Sequence, residues 1–381
     1  MACALLGVVS CESMLEIPQK GVVSYDSFYA SDDDALAALT SMYANYIQNV
    51  AGTEGIDNPE QVMLNYAADD VMAAGGNPKD HEPFRYFCEF TYDNANGTLK
   101  QAYQRYYFSI YHANLVISNF TNENRNQAEP KHTSAFTAQA VAEARVMRAY
   151  LHMMLALSWY CPPIVDRLLD ADELPSPAES QSQVLEWVIA ECEKAISSGA
   201  LPVRASKNDK DATARMSVGF AQFIAGKAAM FNNDPATARK YLGDLINSEK
   251  YDLVPTEEYW TNFHVAGDGS VEKIFEPNFL EDPAYTNNAW GSGAPIQRGR
   301  WMVANVFCWR TDALASQPQP HDGFQGWNGG AVQETFAEKF LAHDGNSPRR
   351  LACFLTGDEW LYEMEWNSEL NDATLAEKEK D

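Results

Sequence analysis

A tryptophan-rich segment between Asp282 and Gly330 carries the residue types that bind sugars. It contains much glycine, proline and asparagine and shows little periodicity, and long segments of this kind in a folded protein are usually functional. Flat aromatic faces stack on pyranose rings, and planar polar side chains pair with hydroxyl groups. The alternative for each tryptophan is that it packs the loop against the core. We expect at least one or two to be exposed, and the predicted ligand-binding residues are Tyr285, Trp290, Arg298, Arg300, Trp301, Trp309 and Trp327.

Catalytic and metal-binding patterns are weak in this sequence. The pairs Asp69–Asp70 and Glu363–Glu365 could serve glycoside hydrolysis, which needs two carboxylates, but a chain with 53 acidic residues forms such pairs by chance. The seven histidines form no HExxH motif and the seven cysteines no CxxC motif. A glycine-rich phosphate loop and a nucleophile elbow are also missing from the sequence. We therefore predict a binding protein without catalytic residues, metal or cofactor.

The N-terminus has the pattern of a bacterial lipoprotein signal. A short apolar run from Ala2 to Val9 leads into Ser10 and Cys11, and acidic residues follow. A branched apolar residue, a tolerant position, a small residue and then a thiol are what a lipoprotein-processing enzyme requires. No lysine or arginine precedes the run, which is short for a signal peptide. We predict that residues 1–10 are a signal remnant and that Cys11 carries the lipid. The alternative is a buried N-terminal segment with an ordinary cysteine.

Composition narrows the class of protein further. The 381 residues include 46% hydrophobic and 21% charged side chains, as in an ordinary folded domain. The net charge of −25 argues against nucleic-acid binding, which depends on neutralising phosphates. No apolar run approaches the length of a membrane-spanning helix, so any membrane association is expected through an anchor. The dispersed, odd set of cysteines is not typical of a disulfide scaffold.

Helical periodicity dominates the chain and predicts a mainly α-helical protein. Ser31 is expected to cap a first helix whose apolar stripe includes Leu36. Arg148, on the third of the predicted helices, is expected to reach a buried carboxylate. A short strand is predicted over Glu272–Glu276. The predicted helices after the first cover about Leu99–Phe120, Thr137–Trp159 and Gln183–Ser197.

The segment Thr213–Asn247 predicts a helical hairpin of about the size of a tetratricopeptide (TPR) unit. Its two apolar faces include Phe231 and Ile246, and Asp234 is a predicted N-cap with Pro235 at the first helical position. The consensus tryptophan and tyrosine of that repeat are missing. The alternatives are a degenerate TPR-like scaffold and a generic helical hairpin.

Five segments in order resemble the SusD/RagB family of outer-membrane nutrient-binding lipoproteins, over about Cys11–Leu355. The family's usual Asp is replaced by Ser347 in its "DPR" motif, and a usual C-terminal helical segment does not follow before Asp381. The chain is accordingly expected to be a fragment or a short variant. The matching segments are LEIPQKGVVSYDSFY from Leu15, the acidic-capped helix that contains Ala38, Leu39 and Tyr43, Tyr106–Asn114, Ala142–Tyr150 with its continuation to Val165, and Phe336–Gly345 with Pro348–Arg350.

The resemblance implies a helical TPR-like scaffold against a loop-rich portion with little β-structure, and glycan cargo held by aromatic residues without catalysis. It also implies a lipid on Cys11, a place on the outside of the outer membrane, and a SusC-like TonB-dependent transporter as partner. Family members often bind ligand through a loop like Asp69–Tyr92, which implies Asn77, Arg85 and Tyr86 as further ligand-binding residues.

These inferences divide the chain into four parts. After residues 1–10 we expect a TPR-like helical scaffold with N-terminal loops over 11–260, a loop-rich ligand-binding portion over 261–366 and a polar tail over 367–381. The predicted function is to bind oligosaccharide or a similar nutrient and pass it to the transporter. The alternatives are a TPR-like protein-interaction scaffold and an all-helical glycoside hydrolase.

Overall fold

The computed structural model describes residues 28–47, 63–75, 80, 82–123, 129–278, 329–354, 356, 358 and 359. Within them the protein is mostly helical, as predicted. Cys11, Asn77, the acid pair Glu363–Glu365 and the predicted ligand-binding set from Tyr285 to Trp327 lie outside the described residues. The longer helices are α1 (Asp32–Tyr46), α2 (Glu82–Cys88), α3 (Gly97–Phe120), α4 (Ala135–Trp159), α5 (Gln181–Ser197), α6 (Val218–Phe231), α7 (Pro235–Asn247), α8 (Glu334–Asp344) and α9 (Pro348–Cys353).

Capping side chains set where the helices begin, and two of these caps, Ser31 and Asp234, are predicted from the sequence. Ser31 accepts a hydrogen bond from the backbone of Asp34 at the start of α1, and Ser134 forms a capping box with Thr137 at the start of α4. Asp234 caps α7 with Pro235 at its first position. These caps satisfy backbone N–H groups that the first turn leaves without intrahelical partners.

Helices α3 to α7 pack each against the next, and α1 lies against α3 and α4. This is the TPR-like scaffold that the sequence predicts. Gly226 of α6 shows how closely neighbouring helices approach, because a Cβ atom there would lie 2.5 Å from the Leu242 side chain of α7. A small residue, Gly226, and a large one, Leu242, therefore meet in the interface of the hairpin. No described helix has both the length and the apolar character needed to cross a membrane.

A buried ion network joins α3, α4 and α5. Arg148 of α4 pairs with Glu191 of α5, and both side chains are 1% exposed. Arg145 also reaches Glu191, at 3.2 Å, and Arg148 donates to the Asn114 side chain of α3 at 2.8 Å. Burial alone raises the pKa of Glu191, but the two arginines outweigh it and lower the pKa to about 2. The predicted role of Arg148, contact with a buried carboxylate, is confirmed.

The described strands are β1 (Val71–Ala73) and β2 (Gly330–Val332), which pair antiparallel. The strand predicted over Glu272–Glu276 is wrong. Buried Arg204 donates to the carbonyls of Lys273 at 2.8 Å and of Gly269 at 3.2 Å, and Lys273 N donates to Ser270 O within a turn. This segment therefore bonds to an arginine and to its own turn instead of to a neighbouring strand.

Three residues predicted to lie on apolar helix faces are exposed instead: Leu36, Phe231 and Ile246. In α1 the small residues Ala35 and Ala38 face the interior and allow close packing, and this turns Leu36 outward. Phe231 is the last residue of α6, and Ile246 follows the buried Leu245 near the end of α7. Periodicity locates a helical face only to within about one residue, or 100° of rotation.

Removing the carboxylate of the network is expected to destabilise the fold strongly. Glu191→Ala leaves Arg148 buried without a counter-charge, so the free energy of unfolding should fall by about 3–5 kcal/mol. Glu193→Ala is the matched control, because Glu193 pairs with Lys240 at the surface and both side chains are 56% exposed. It should change the free energy by less than about 1 kcal/mol. Urea unfolding measures both, and equal losses would contradict the proposed role of the network.

His152 is expected to make stability depend on pH. Its imidazole is fully buried, with Nδ1 bonded to the Arg148 carbonyl and Nε2 accepting from Val165 N. Burial lowers the pKa of His152 to about 4. The unfolded chain binds a proton near pH 6.5 but the folded chain does not, so stability should fall as pH drops from about 6.5 towards 4.

The full difference between the two pKa values corresponds to roughly 3.4 kcal/mol, of which about 2–3 kcal/mol is lost between pH 7 and pH 4.5. His152→Gln keeps an acceptor for Val165 N and should have a smaller loss between pH 7 and pH 4.5 in urea unfolding. His132→Gln, which removes a surface histidine beside Asp32, is the control. A wild-type slope that persists in His152→Gln would exclude His152 as its source.

Candidate functional site

Helix α2 is short and has two different faces. Phe84 and Phe87 are buried, and the Phe84 ring lies 4.5 Å from that of buried Tyr66. Arg85 and Tyr86 lie on the more exposed side. The two inward phenylalanines therefore fix the helix, and the fixed helix presents the side chain of Tyr86 at the surface.

The turn after α2 returns the chain so that a second tyrosine lies beside the helix. Phe90 adopts a positive φ of 52°, and Thr91 N donates to the Tyr86 carbonyl at 3.0 Å. The ring of Tyr92 then stacks on Phe87, with centroids 4.8 Å apart and planes 25° apart. Tyr92 remains 39% exposed. One buried phenylalanine thus supports an exposed aromatic ring from below.

Polar groups follow in the turn that leads into α3. The Asp93 carboxylate accepts from Ala95 N at 2.9 Å, which fixes the turn. The side-chain oxygen of Asn96 caps α3 by accepting from Thr98 N at 3.0 Å and Leu99 N at 3.2 Å. The cap uses only the oxygen of the Asn96 amide. Its NH2 group can still donate to a hydroxyl group.

These elements enclose a cavity of about 610 Å³. Its volume is within the usual range for small-molecule sites. It combines two tyrosine rings with amide, hydroxyl and carboxylate groups, which is the combination that sugar recognition needs. We call it the tyrosine cavity; its lining residues are Pro83, Tyr86, Thr91, Tyr92, Asp93, Ala95, Asn96, Gly97, Thr98 and Gln101.

Charged groups beside the tyrosine cavity are paired with one another. Arg85 lies 3.4 Å from Glu82 and 4.0 Å from Glu89, and its guanidinium lies 5.8 Å from the centre of the Tyr86 ring. A hydrogen bond with the Glu82 carboxylate raises the pKa of the Tyr86 phenol. The phenol is therefore neutral at physiological pH and suits an uncharged ligand.

The two-stranded sheet connects the two segments that the sequence analysis predicts to bind ligand, Asp69–Tyr92 and Asp282–Gly330. Ala74 N donates to Gly329 O at 3.1 Å, and Gln333 N donates to Asp70 O at 2.9 Å. The thiol of Cys88, at the end of α2, lies 3.2 Å from Ala73 N. The point where the chain leaves the tryptophan-rich segment is thereby held next to β1, and β1 is held against the helix that carries Tyr86.

The structure describes two of the predicted site residues, Arg85 and Tyr86. Tyr86 lines the tyrosine cavity, and Arg85 lies next to it on α2. Sequence reasoning missed Asn96 and Gln101 and treated Tyr92 only as the end of a loop. A signal was present, because Asp-Asn-Ala-Asn-Gly from Asp93 predicts a polar turn and a helix cap.

The tyrosine cavity does not have the groups of a hydrolytic site among its described residues. Asp93 supplies the one carboxylate of the lining, whereas glycoside hydrolysis usually needs two. Asp69 and Asp70 are exposed beside β1 and are not part of the lining. A search of the described residues finds no group of three or more His, Cys, Asp or Glu that could hold a metal ion.

Among known proteins, the chain is similar to SusD-like proteins. No protein-family model matches the chain. A curated relative, the SusD-like protein P38 of Formosa agariphila, is 23% identical over 260 residues, which cover 67% of this chain and 46% of that protein. The chain therefore spans about half the length of this curated relative.

Solved structures of SusD-like proteins also resemble this chain. The surface glycan-binding protein A of Bacteroides thetaiotaomicron, in complex with laminarihexaose, has a TM-score of 0.70 at 22% identity, covering 89% of this chain and 67% of that one. A laminarin-binding SusD-like protein has a TM-score of 0.66 at 20% identity, covering 85% and 66%. The chain has the fold of these SusD-like proteins.

The resemblance inferred from the motifs is thus confirmed, and so is the helical, TPR-like fold class of this chain. One of those motifs, Phe336–Gly345 with Pro348–Arg350, forms helices α8 and α9. Buried Arg350 pairs with Glu359 at 2.5 Å and donates to Gly345 O at 2.9 Å. The substitution of Ser347 for the family's Asp keeps the helix cap, because the Ser347 hydroxyl accepts from Arg350 N.

Proposed function

We propose that this chain is a lipid-anchored cell-surface protein that binds oligosaccharide and passes it to a TonB-dependent outer-membrane transporter. The observation that carries the binding step is the tyrosine cavity, in which the rings of Tyr86 and Tyr92 lie among amide and hydroxyl groups and a single carboxylate, that of Asp93. Sugar binding of this kind needs aromatic faces and planar polar groups together. The similarity to SusD-like proteins supports the location and the transporter partner.

The proposed site extends into the tryptophan-rich segment. The sheet contact between Ala74 and Gly329 ties the end of that segment to the cavity region, which supports a shared surface. The single carboxylate in the described lining supports binding over hydrolysis. The residues proposed to contribute besides the cavity lining are Asn77, Arg85, Tyr285, Trp290, Arg298, Arg300, Trp301, Trp309 and Trp327.

Laminarin oligosaccharides are the first probe, because two structural relatives are named for laminarihexaose or laminarin. Isothermal titration should detect binding to one class in a panel of laminarin, cellulose, starch and xylan oligosaccharides. Prolonged incubation with the same panel should release no product. Product release would support the hydrolase alternative. Absence of binding to every oligosaccharide in the panel would favour a protein-interaction scaffold.

Tyr86→Ala and Tyr92→Ala are each expected to weaken binding about tenfold or more. Each removes an aromatic face worth roughly 1.5 kcal/mol or more of buried contact, and about 1.4 kcal/mol corresponds to a factor of ten in affinity. Trp290→Ala and Trp309→Ala should also weaken binding.

Trp260→Ala is the matched control, because Trp260 is an exposed aromatic residue that does not line the cavity. It should leave the affinity unchanged, and unfolding midpoints should show that all variants are folded. Equal affinity of the wild type and both tyrosine variants would place the binding surface elsewhere.

The anchor has an independent test. Cells that make the full chain and are fed a fatty-acid analogue should label the wild type but not Cys11→Ser, because the thiol carries the lipid. Cys353→Ser changes an exposed cysteine outside the signal and should label normally. Undiminished labelling of Cys11→Ser would remove the anchor from the proposal.

A further inference from the structure

Helix α3 has one exposed stripe that connects two cavities. Between residues 97 and 111 the exposed positions on α3, apart from Lys100, are Gly97, Gln101, Gln104, Phe108 and Tyr111. Their spacings of four, three, four and three residues place them on one face of the helix. The first two line the tyrosine cavity. The last three line a second cavity, of about 560 Å³.

The second cavity is rich in aromatic and aliphatic surface. Phe108 and Tyr111 are 50% and 48% exposed, and the rings of Tyr103 and Tyr107 lie 4.8 Å apart beside them. We call it the α3 groove; its lining residues are Tyr103, Gln104, Tyr107, Phe108, Tyr111, Asn114, Pro163, Val165, Arg167, Leu169, Leu174 and Pro175.

The α3 groove is held open by the buried core. The Tyr107 hydroxyl donates to Pro163 O at 2.7 Å. The amide of Asn114 donates to the carbonyls of Val165 and Arg167, each at 3.0 Å. These bonds fix the loop that forms the opposite wall, so the groove exists before any ligand binds. A preformed site avoids part of the entropy cost of binding.

The two cavities are neighbours on a rigid element. Gln101 and Gln104 are one helical turn apart, and side chains three residues apart on a helix are in reach of each other. The stripe from Gly97 to Tyr111 is about 21 Å long at 1.5 Å per residue. A single sugar unit cannot span that distance, whereas a chain of several units can.

We propose that the α3 groove is a second subsite for the same oligosaccharide, continuous with the tyrosine cavity along the exposed stripe. This inference rests on the proposed function. Phe108 and Tyr111 supply faces for the sugar rings, and the amides of Gln101 and Gln104 bond to hydroxyl groups between the two cavities. The affinity of the protein then depends on the length of the oligosaccharide, and long chains bind more tightly than short ones.

A glycan fits the stripe better than an apolar protein segment does. The stripe is continuous with a polar cavity, and two glutamine amides lie between that cavity and the aromatic residues of the groove, where a purely apolar partner would leave them without hydrogen bonds. Aromatic faces in both cavities, with amide groups between them, suit a sugar chain, whose rings have apolar faces and hydroxyl edges.

Titration with a length series tests the proposal. The probes are oligosaccharides of two to eight units from the class that binds best in the panel. Wild-type affinity should rise at least tenfold between the three-unit and the longest probes. In the double variant Phe108→Ala/Tyr111→Ala this gain should be lost, while the affinity for two- and three-unit probes stays the same.

Two controls separate this inference from the proposed function. Phe231→Ala removes an equally exposed phenylalanine, 52% exposed, at the end of α6, and should keep the length dependence. Tyr86→Ala should weaken binding of short and long probes alike.

Binding that does not depend on length, or a double variant that keeps the full gain, would overturn the second subsite and leave the proposed function intact. If the Phe108→Ala/Tyr111→Ala variant keeps the full gain but loses binding to a partner protein, the groove would be assigned to that partner. If no probe of any length binds, the proposed function and the second subsite fall together.

Discussion

A charge buried in a protein interior must be paired, and this requirement fixes the centre of the molecule. Arg148 and Glu191 are almost completely buried, and removing either ion from water costs several kcal/mol before the pairing is counted. The two side chains can form an ion pair only when α4 and α5 are aligned so that these residues lie opposite each other. Asn114 adds α3 to the same arrangement, because its side-chain oxygen accepts from Arg148. A shift of α4 or α5 by one turn would leave a charge without its partner, and a shift of α3 would remove a hydrogen bond from Arg148.

The binding surfaces depend on this arrangement through a few hydrogen bonds. The amide of Asn114 is used at both ends: its oxygen binds the buried arginine and its nitrogen holds the loop at Val165 and Arg167. The side chain that completes the ion network therefore also positions one wall of the α3 groove. At the N-terminal end of the same helix, Asn96 both caps α3 and lines the tyrosine cavity. One rigid helix thus sets the separation of the two cavities.

Sequence patterns predicted the helices well because caps and periodicity are local properties. Ser31 and Asp234 mark helix starts by chemistry that acts within three residues. Predictions that depend on the rest of the fold were less successful. The exposure of Leu36 follows from which side of α1 meets α3 and α4, and the missing strand at Glu272–Glu276 follows from the bonds that Arg204 makes about seventy residues away. The contact between Ala74 and Gly329 likewise joins residues far apart in sequence, so no local pattern could place the two nominated loops together.

The tyrosines of α3 show why the site was harder to predict than the fold. Tyr106 is buried, Tyr103 and Tyr107 are partly buried, and Tyr111 is exposed, although all four belong to one helix and have the same side chain. Tyr106 packs against the scaffold, whereas Tyr103, Tyr107 and Tyr111 line the α3 groove. The exposed face of α3 has glutamines in its first part and aromatic residues in its second, and the second part forms a groove only when the loop of Pro163 and Arg167 is folded against it. A stacking surface for an uncharged ligand needs no titratable group and no fixed motif, so it leaves little signal in a single sequence. It becomes recognisable when the fold shows which aromatic rings are supported from below and still open to solvent, as Tyr92 is on Phe87.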